Sequence, residues 1–257
     1  VIAGESHVMA IEGMECRRGS RIILQGVHLT IPAGQWTVIV GRNGAGKSTL
    51  LRVLAGLLPY RGQVQLRGEE LRDIPDRERA LRLSWMGQDE PIPLAMHAYD
   101  VVMLGRTPYI GWWSVPTAAD REAVEMAMCA TQTWEWRDKG MYALSRGEQQ
   151  RVLLARVQAA GTDLVLLDEP LVHLDHHQQR RWIQWVESLV ARGVSVVSVL
   201  HELSVALRSH SMIVLGAGQV LHSGASAARS THQALEAAFD GEIRVQRCDG
   251  RLAALLD

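Results

Sequence analysis

Cysteine is scarce in this chain. The 257 residues hold three, Cys16, Cys129 and Cys248, far apart and odd in number. They form no metal-type spacing, and a reducing cytosol suits them. Long apolar runs are missing too. None approaches the ~18 residues that a membrane-spanning helix needs. Net charge is nearly absent, at −1. That leaves no electrostatic footprint for nucleic acid. The stretch Val1 to Met14 lacks a charged region followed by an apolar one, so no secretion signal is expected. Internal repeats and low-complexity segments are absent. Ten histidines are scattered. His176-His177 is their one adjacent pair, and it reads as a helix surface rather than a metal site.

What is present is a phosphate motif. Gly41-Arg42-Asn43-Gly44-Ala45-Gly46-Lys47-Ser48-Thr49 fits G-x-x-x-x-G-K-[ST] in full. The apolar run Trp36 to Val40 precedes it and reads as a buried strand. Leu50 to Leu57 follows it with apolar spacing of a helix. Strand, glycine loop and helix together make a phosphate cradle. The glycines let backbone N–H groups turn inward, and the helix N-terminus adds positive potential. Lys47 would reach the β and γ phosphates, and the Ser48 hydroxyl would ligate Mg²⁺.

The rest of the chain builds around that loop. Residues 8–11 and 22–31 are expected as short strands, with a turn at Pro32-Ala33-Gly34. Gly62 to Leu66 and Leu83 to Met86 are two more. From Asp89 the texture changes. Pro91, Pro93, Pro108 and Pro116 punctuate a region of helix formers. A helix is expected at Ala118–Thr131, capped by Thr117, and another from Ser145 to about residue 160. Roughly 89–158 therefore reads as a helical subdomain inserted into one α/β domain spanning 1–257. Leu164 to Asp168 is a strand buried on both faces. Then come a helix His176–Ala191, a strand Val194–Leu200, a short helix Glu202–Ser209, and strands at Met212–Leu215 and Gln219–His222. Such alternation calls for a largely parallel sheet with covered faces.

Chemistry gathers at the strand ends. Asp168 closes a buried strand, where a carboxylate can hold Mg²⁺. Glu169 beside it can polarise an attacking water. His201 ends the next strand, and Gln88 follows an earlier one. Parallel neighbours end at the same edge, so His201, Asp168 and the glycine loop can converge on one γ-phosphate, and the Gln88 side chain could reach Mg²⁺ or the water.

Leu144-Ser145-Arg146-Gly147-Glu148-Gln149-Gln150-Arg151 sets Ser and Gly at a helix start, where free N–H groups can hold an anion. With this motif the chain resembles the ATP-binding cassette (ABC) ATPase family, from about residue 8 to 225. The resemblance implies a P-loop NTPase core, a mostly parallel sheet with an antiparallel β layer, and an inserted helical subdomain. It also implies a head-to-tail dimer holding two ATP with Mg²⁺. Carried over, Gly41 to Thr49 bind the phosphates, and Ser48, Gln88 and Asp168 serve the metal. Glu169 is the general base, His201 the switch histidine and Gln88 the Q-loop residue. Ser145 and Gly147 meet the γ-phosphate across the dimer, and Asp175 is the D-loop residue. Arg146 stands where the family usually has Gly. Where the family places an aromatic ring against adenine, this chain has Cys16-Arg17-Arg18-Gly19. Arg18 aligns best, and a guanidinium plane can stack on a base.

Val101 to Pro108, Ala119-Asp120-Arg121 and Leu174 to Gln178 look like the importers of iron-siderophores, haem and cobalamin. That group implies separate membrane permease subunits, indirectly a substrate-binding protein, and a place on the cytoplasmic face of the inner membrane. Two alternatives share the motifs. One is a cytosolic ABC ATPase such as that of iron–sulfur cluster assembly. The other is a nucleotide-binding regulatory subunit without hydrolysis, motivated by Arg146 and the missing aromatic. A GTPase is disfavoured, because no Asn-Lys-x-Asp segment for guanine is present.

Overall fold

The structure is a computed structural model that describes residues 7–88, 93–111, 113–172, 174–248 and 251–256. Residues 89–92, where the expected helical segment begins, lie outside the described residues, as do Trp112 and the first six residues of the N-terminal stretch. The side chain of Cys248 lies outside them as well.

A six-stranded sheet carries the molecule. Its strands are β3 (Trp36–Val40), β6 (Leu83–Met86), β7 (Leu164–Asp168), β8 (Ser195–Val199), β9 (Ser211–Gly216) and β10 (Gln219–Ala225), in the order β10-β9-β3-β8-β7-β6. All neighbours pair in parallel except β10, which runs antiparallel to β9 at the edge. Every residue of β3, β7 and β8 is buried. Such strands read as continuous apolar runs because layers cover both faces.

The pleat still sorts their side chains. Trp36, Val38, Val40, Val165 and Leu167 join one core, with the helices. Ile39, Leu164, Leu166, Val197 and Val199 join the other. That second core is closed by α1 (Lys47–Leu54) and by an antiparallel layer. The layer is β1 (His7–Arg18), β2 (Arg21–Pro32), β4 (Arg61–Leu66) and β5 (Glu69–Glu70), ordered β2-β1-β4-β5.

The first two strands are far longer than the short runs expected at 8–11 and 22–31. They form one hairpin of two 12-residue strands. Register shifts interrupt their pairing, and Gly13 and Gly26 sit at positive φ. Bulges of this kind break the period-two pattern, so the sequence under-reports the strands. The helix expected at 202–209 shrinks to α7 (Leu203–Ala206). A helix not anticipated, α2 (Asp76–Arg82), lies before β6 and buries no residue, so no apolar stripe announced it.

Between β6 and β7 every helix or strand of the described residues is helical. These are α3 (Ala98–Met103), α4 (Ala118–Ala130) and α5 (Arg146–Ala160), with short 3-10 turns. They pack on the first core beside α6 (His176–Ala191) rather than around a core of their own. The Arg106 guanidinium binds them together. It donates to Asp120 Oδ1 at 3.0 Å and to the Ala159 carbonyl at 3.0 Å. Beyond β10 the chain adds α8 (Arg229–Ala238) and a hairpin of β11 (Ile243–Cys248) with β12 (Arg251–Leu256).

Candidate active site

Pairing register fixes where the strands end. Ile39 on β3 lies beside Val199 on β8, and Val199 beside Asp168 on β7. One row back, Met86 on β6 pairs with Leu167. The residues just past this row are the glycine loop, His201, Glu169 and Gln88. They leave four adjacent strands at one edge, the carboxyl edge, where open parallel sheets bind ligands.

The loop needs its glycines. Gly41 has φ 151°, and a Cβ there would lie 2.1 Å from the Leu215 carbonyl oxygen. Gly46, at φ 99°, precedes α1, and a Cβ there would sit 2.8 Å from the Leu24 side chain. The β1–β2 hairpin and the β9–β10 turn thus hold the loop from outside. The Gly218 N–H donates to the Ala45 carbonyl at 3.2 Å, and the Gln25 N–H donates to the Gly218 carbonyl at 3.0 Å. Lys47 folds back over the loop. Its Nζ donates to the carbonyls of Gly41 at 2.9 Å and Arg42 at 3.2 Å. Burial pushes its pKa down, against the pull of the Glu169 and Asp168 carboxylates.

Asp168 is fully buried. Its Oδ1 accepts from the Ser48 hydroxyl at 2.9 Å, while Oδ2 has no partner among the described residues. Burial raises the Asp168 pKa, and the Ser48 bond opposes that rise. A hydroxyl and an orphaned carboxylate oxygen side by side suit a hard cation. Among the described residues no three His, Cys, Asp or Glu side chains could hold a metal alone. Such an ion would therefore complete its shell with phosphate and water oxygens, as Mg²⁺ does.

Glu169 is the hub of the polar edge. Its Oε1 lies 2.6 Å from His201 Nε2, and its Oε2 accepts from the Gln88 amide. Its backbone sits at φ 51°, in the left-handed region that side chains other than glycine avoid. Sequence patterns gave no sign of this.

The other expected residues stand apart. Ser145 caps α5, its hydroxyl donating to Glu148 Oε2 at 2.7 Å and accepting from the Glu148 N–H at 3.4 Å. The two Ser145 donors hold the Glu148 carboxyl below its usual range. Gly147 is buried in the first turn of α5, and Arg146 is exposed. Asp175 caps α6 in the same way, accepting from the Gln178 N–H at 2.8 Å. Arg18 is exposed at the tip of the β1–β2 hairpin, paired in register with Arg21. Asn43, Gly44 and Thr49 lie along the loop and the first turn of α1. Arg42 belongs to the loop expected to bind phosphate through its backbone, and its guanidinium pairs with Asp240 and lies 4.0 Å from Glu242, both beyond α8. Nothing in the sequence ties that distant segment to the loop.

A profile described as ABC transporter matches residues 24–172. The hemin import ATP-binding protein of Pseudomonas entomophila is 39% identical over 252 residues, covering 93% of this chain and 95% of the relative. This chain belongs to the ABC transporter family. As an ABC ATPase it also resembles the iron(3+)-hydroxamate import ATP-binding protein of Bacillus subtilis, 32% identical over 230 residues, covering 88% and 86% of the two chains. An ABC transporter described as of metal-chelate type, solved in an inward-facing conformation, superposes with a TM-score of 0.82. That match covers 98% of this chain and 97% of the other at 21% identity, and it shows the same α/β cassette fold.

Proposed function

We propose that this chain is the ATP-hydrolysing subunit of an importer for haem, a ferric chelate or cobalamin, working as a pair on the cytoplasmic face of the inner membrane. The observation that carries the hydrolytic part is Glu169, held between Gln88 and His201 beside the Ser48–Asp168 pair. Gly41 to Thr49 would bind the phosphates of ATP, with Lys47 leaving its own loop carbonyls to meet them. Ser48 and Asp168 would hold Mg²⁺, which screens phosphate charge when bound. Gln88 would reach the same ion when it lets go of Glu169. Glu169 would take the proton of the attacking water, and His201 would orient Glu169. Arg18 would stack on the adenine.

A second copy supplies what one chain keeps apart. Ser145 and Gly147 head α5 and make no hydrogen bond to the glycine loop among the described residues, and as in the family they would serve the partner's γ-phosphate rather than their own. Asp175, at the head of α6, would line that junction. Intact Lys47, Asp168, Glu169 and His201 speak against a subunit that only binds nucleotide. The hemin and hydroxamate relatives favour an importer over a cytosolic ATPase.

Among the described residues no helix is long and apolar enough to cross a membrane. The path to the cargo then runs through other chains. A groove of about 330 Å³ lies where α1, α2 and β6 meet the helical layer, lined by Leu57, Arg79, Trp85, Leu104 and Pro108. Leu57 and Leu104 are 53% and 45% exposed there. An apolar knob of a permease loop would seat in it, with the helical segment 89–158 moving as the lever. A substrate-binding protein would act further out, on the permease alone.

The test is a tagged pull-down from detergent-solubilised membranes. Stoichiometric recovery of a polytopic partner, with ATPase activity stimulated by a loaded binding protein, is the expected result. Recovery of only soluble partners would overturn the importer reading.

A further inference from the structure

The glycine loop carries two cations, Arg42 and Lys47. Lys47 Nζ is held by loop carbonyls, and that of Arg42 is one of them, at 3.2 Å. The Arg42 guanidinium is taken by the turn between α8 and β11, where it pairs with Asp240 and lies 4.0 Å from Glu242. One residue of the phosphate loop thus answers to Lys47 through its backbone and to the tail of the chain through its side chain.

That turn is anchored on both sides. Leu235 before it and Ile243 after it are buried in the first core, and Phe239 packs against the same core. The Gly241 N–H donates to the Glu236 carbonyl at 3.0 Å, and the Glu242 N–H to the Phe239 carbonyl at 2.9 Å. The Val245 N–H donates to Glu236 Oε1 at 2.8 Å and ties β11 to α8. Asp240 sits at φ 54°, in the left-handed region, which aspartate tolerates better than most side chains. The two carboxylates therefore stand at fixed places beside the loop. Side chains of Arg42, Asp240 and Glu242 are 49%, 72% and 64% exposed. Ion pairs so exposed add little to folding. Their effect falls on the charge of the loop, where they occupy one of the two cations that a polyphosphate would seek.

We propose that the turn at 239–242 is an autoinhibitory contact: Asp240 and Glu242 hold the Arg42 guanidinium, and nucleotide must win it from them. This rests on the reading that Gly41 to Thr49 binds the phosphates of ATP. A group held elsewhere most of the time lowers the apparent affinity by the fraction of time it is free. Polyphosphate has the stronger claim, because it offers charge-assisted bonds and several negative charges at once. On binding it takes Arg42 and leaves the carboxylates to water.

Asp240→Asn with Glu242→Gln frees Arg42 without touching the loop. Nucleotide affinity is read by calorimetry in EDTA, where no ATP is turned over. At low salt, ATP should bind this variant about three- to tenfold more tightly than it binds the wild type, and the gain should fall from ATP to ADP to AMP. In ~1 M salt, where the Debye length is about 3 Å, the gain should vanish. In an Arg42→Gln background the same two changes should gain no more than about twofold, because no guanidinium is left to free. Unchanged ATP affinity overturns the proposal. So does an equal gain in both backgrounds, which would leave only bare repulsion by the carboxylates. A wild-type chain that binds no ATP would overturn the nucleotide reading as well.

Discussion

Asp168 is a carboxylate sealed from solvent with half of its hydrogen-bonding capacity unused. Its raised pKa means that the folded chain keeps this proton to higher pH than the unfolded chain does. Stability without ligand therefore falls as pH climbs from the ordinary carboxylate range through the raised value, and stays lower above it. Asparagine at this position keeps an acceptor for Ser48 and carries no charge. Asp168→Asn should raise the Tm of the nucleotide-free protein by a few degrees at neutral pH and flatten that pH dependence. It should also abolish Mg²⁺-dependent hydrolysis. Thermal melts from pH 4 to 8, with and without Mg-ATP, check both halves. At this scale the sequence was most legible where spacing is chemistry, as in the glycine loop and Asp168-Glu169. It was mute about Arg42, whose partners Asp240 and Glu242 lie in a segment with no motif. It was also mute about the left-handed Glu169, since no residue type announces that backbone.

The elements that matter begin and end on polar punctuation. Thr117, Ser145 and Asp175 each start a helix with a reciprocal cap, and Ser145 and Asp175 are also the residues expected at the dimer junction. A cap is worth about 1 kcal/mol. A Ser145 hydroxyl that turns to a phosphate gives up that much of its own helix. The residues that carry the subgroup likeness do structural work as well. Arg106 and Asp120 tie α4 and α5 to the turn that follows α3, and Gly105 lets that turn approach α5. A Cβ on Gly105 would lie 2.3 Å from the Arg156 carbonyl oxygen. Gly105→Ala should therefore part the turn from α5 and destabilise the protein by about 1–3 kcal/mol. Chemical denaturation measures this, and an unchanged midpoint would show that the turn yields freely. The buried central strands and the capped helices were readable because their apolar runs and caps are local signals. The bulged hairpin and α2 were not, because their pattern is set by what they lie against.

At the scale of the whole molecule the proposed pairing makes the nucleotide site a joint product of two chains. One chain supplies the loop, the carboxylates and His201, while its Ser145 is occupied with Glu148 in the cap of α5. Glu169→Gln should keep ATP affinity, lose turnover by about 10²–10⁴-fold and accumulate as an ATP-bound dimer. Light scattering after gel filtration in ATP, beside a phosphate-release assay, reads both. Unchanged turnover would remove Glu169 from the role of base, and a monomer in ATP would remove the pairing.

The shared row of strand ends has one more consequence. A slip of one residue in β3, β6, β7 or β8 would turn its terminal group away from the others. Exposed side chains on the stretches that connect those strands, such as Leu57 and Leu104, carry no such constraint. The groove that would meet a membrane partner is built largely from these stretches, from the end of α1 through α2 and the turn at Leu104. Substitutions at such groove side chains can therefore change what docks there without moving the row of strand ends.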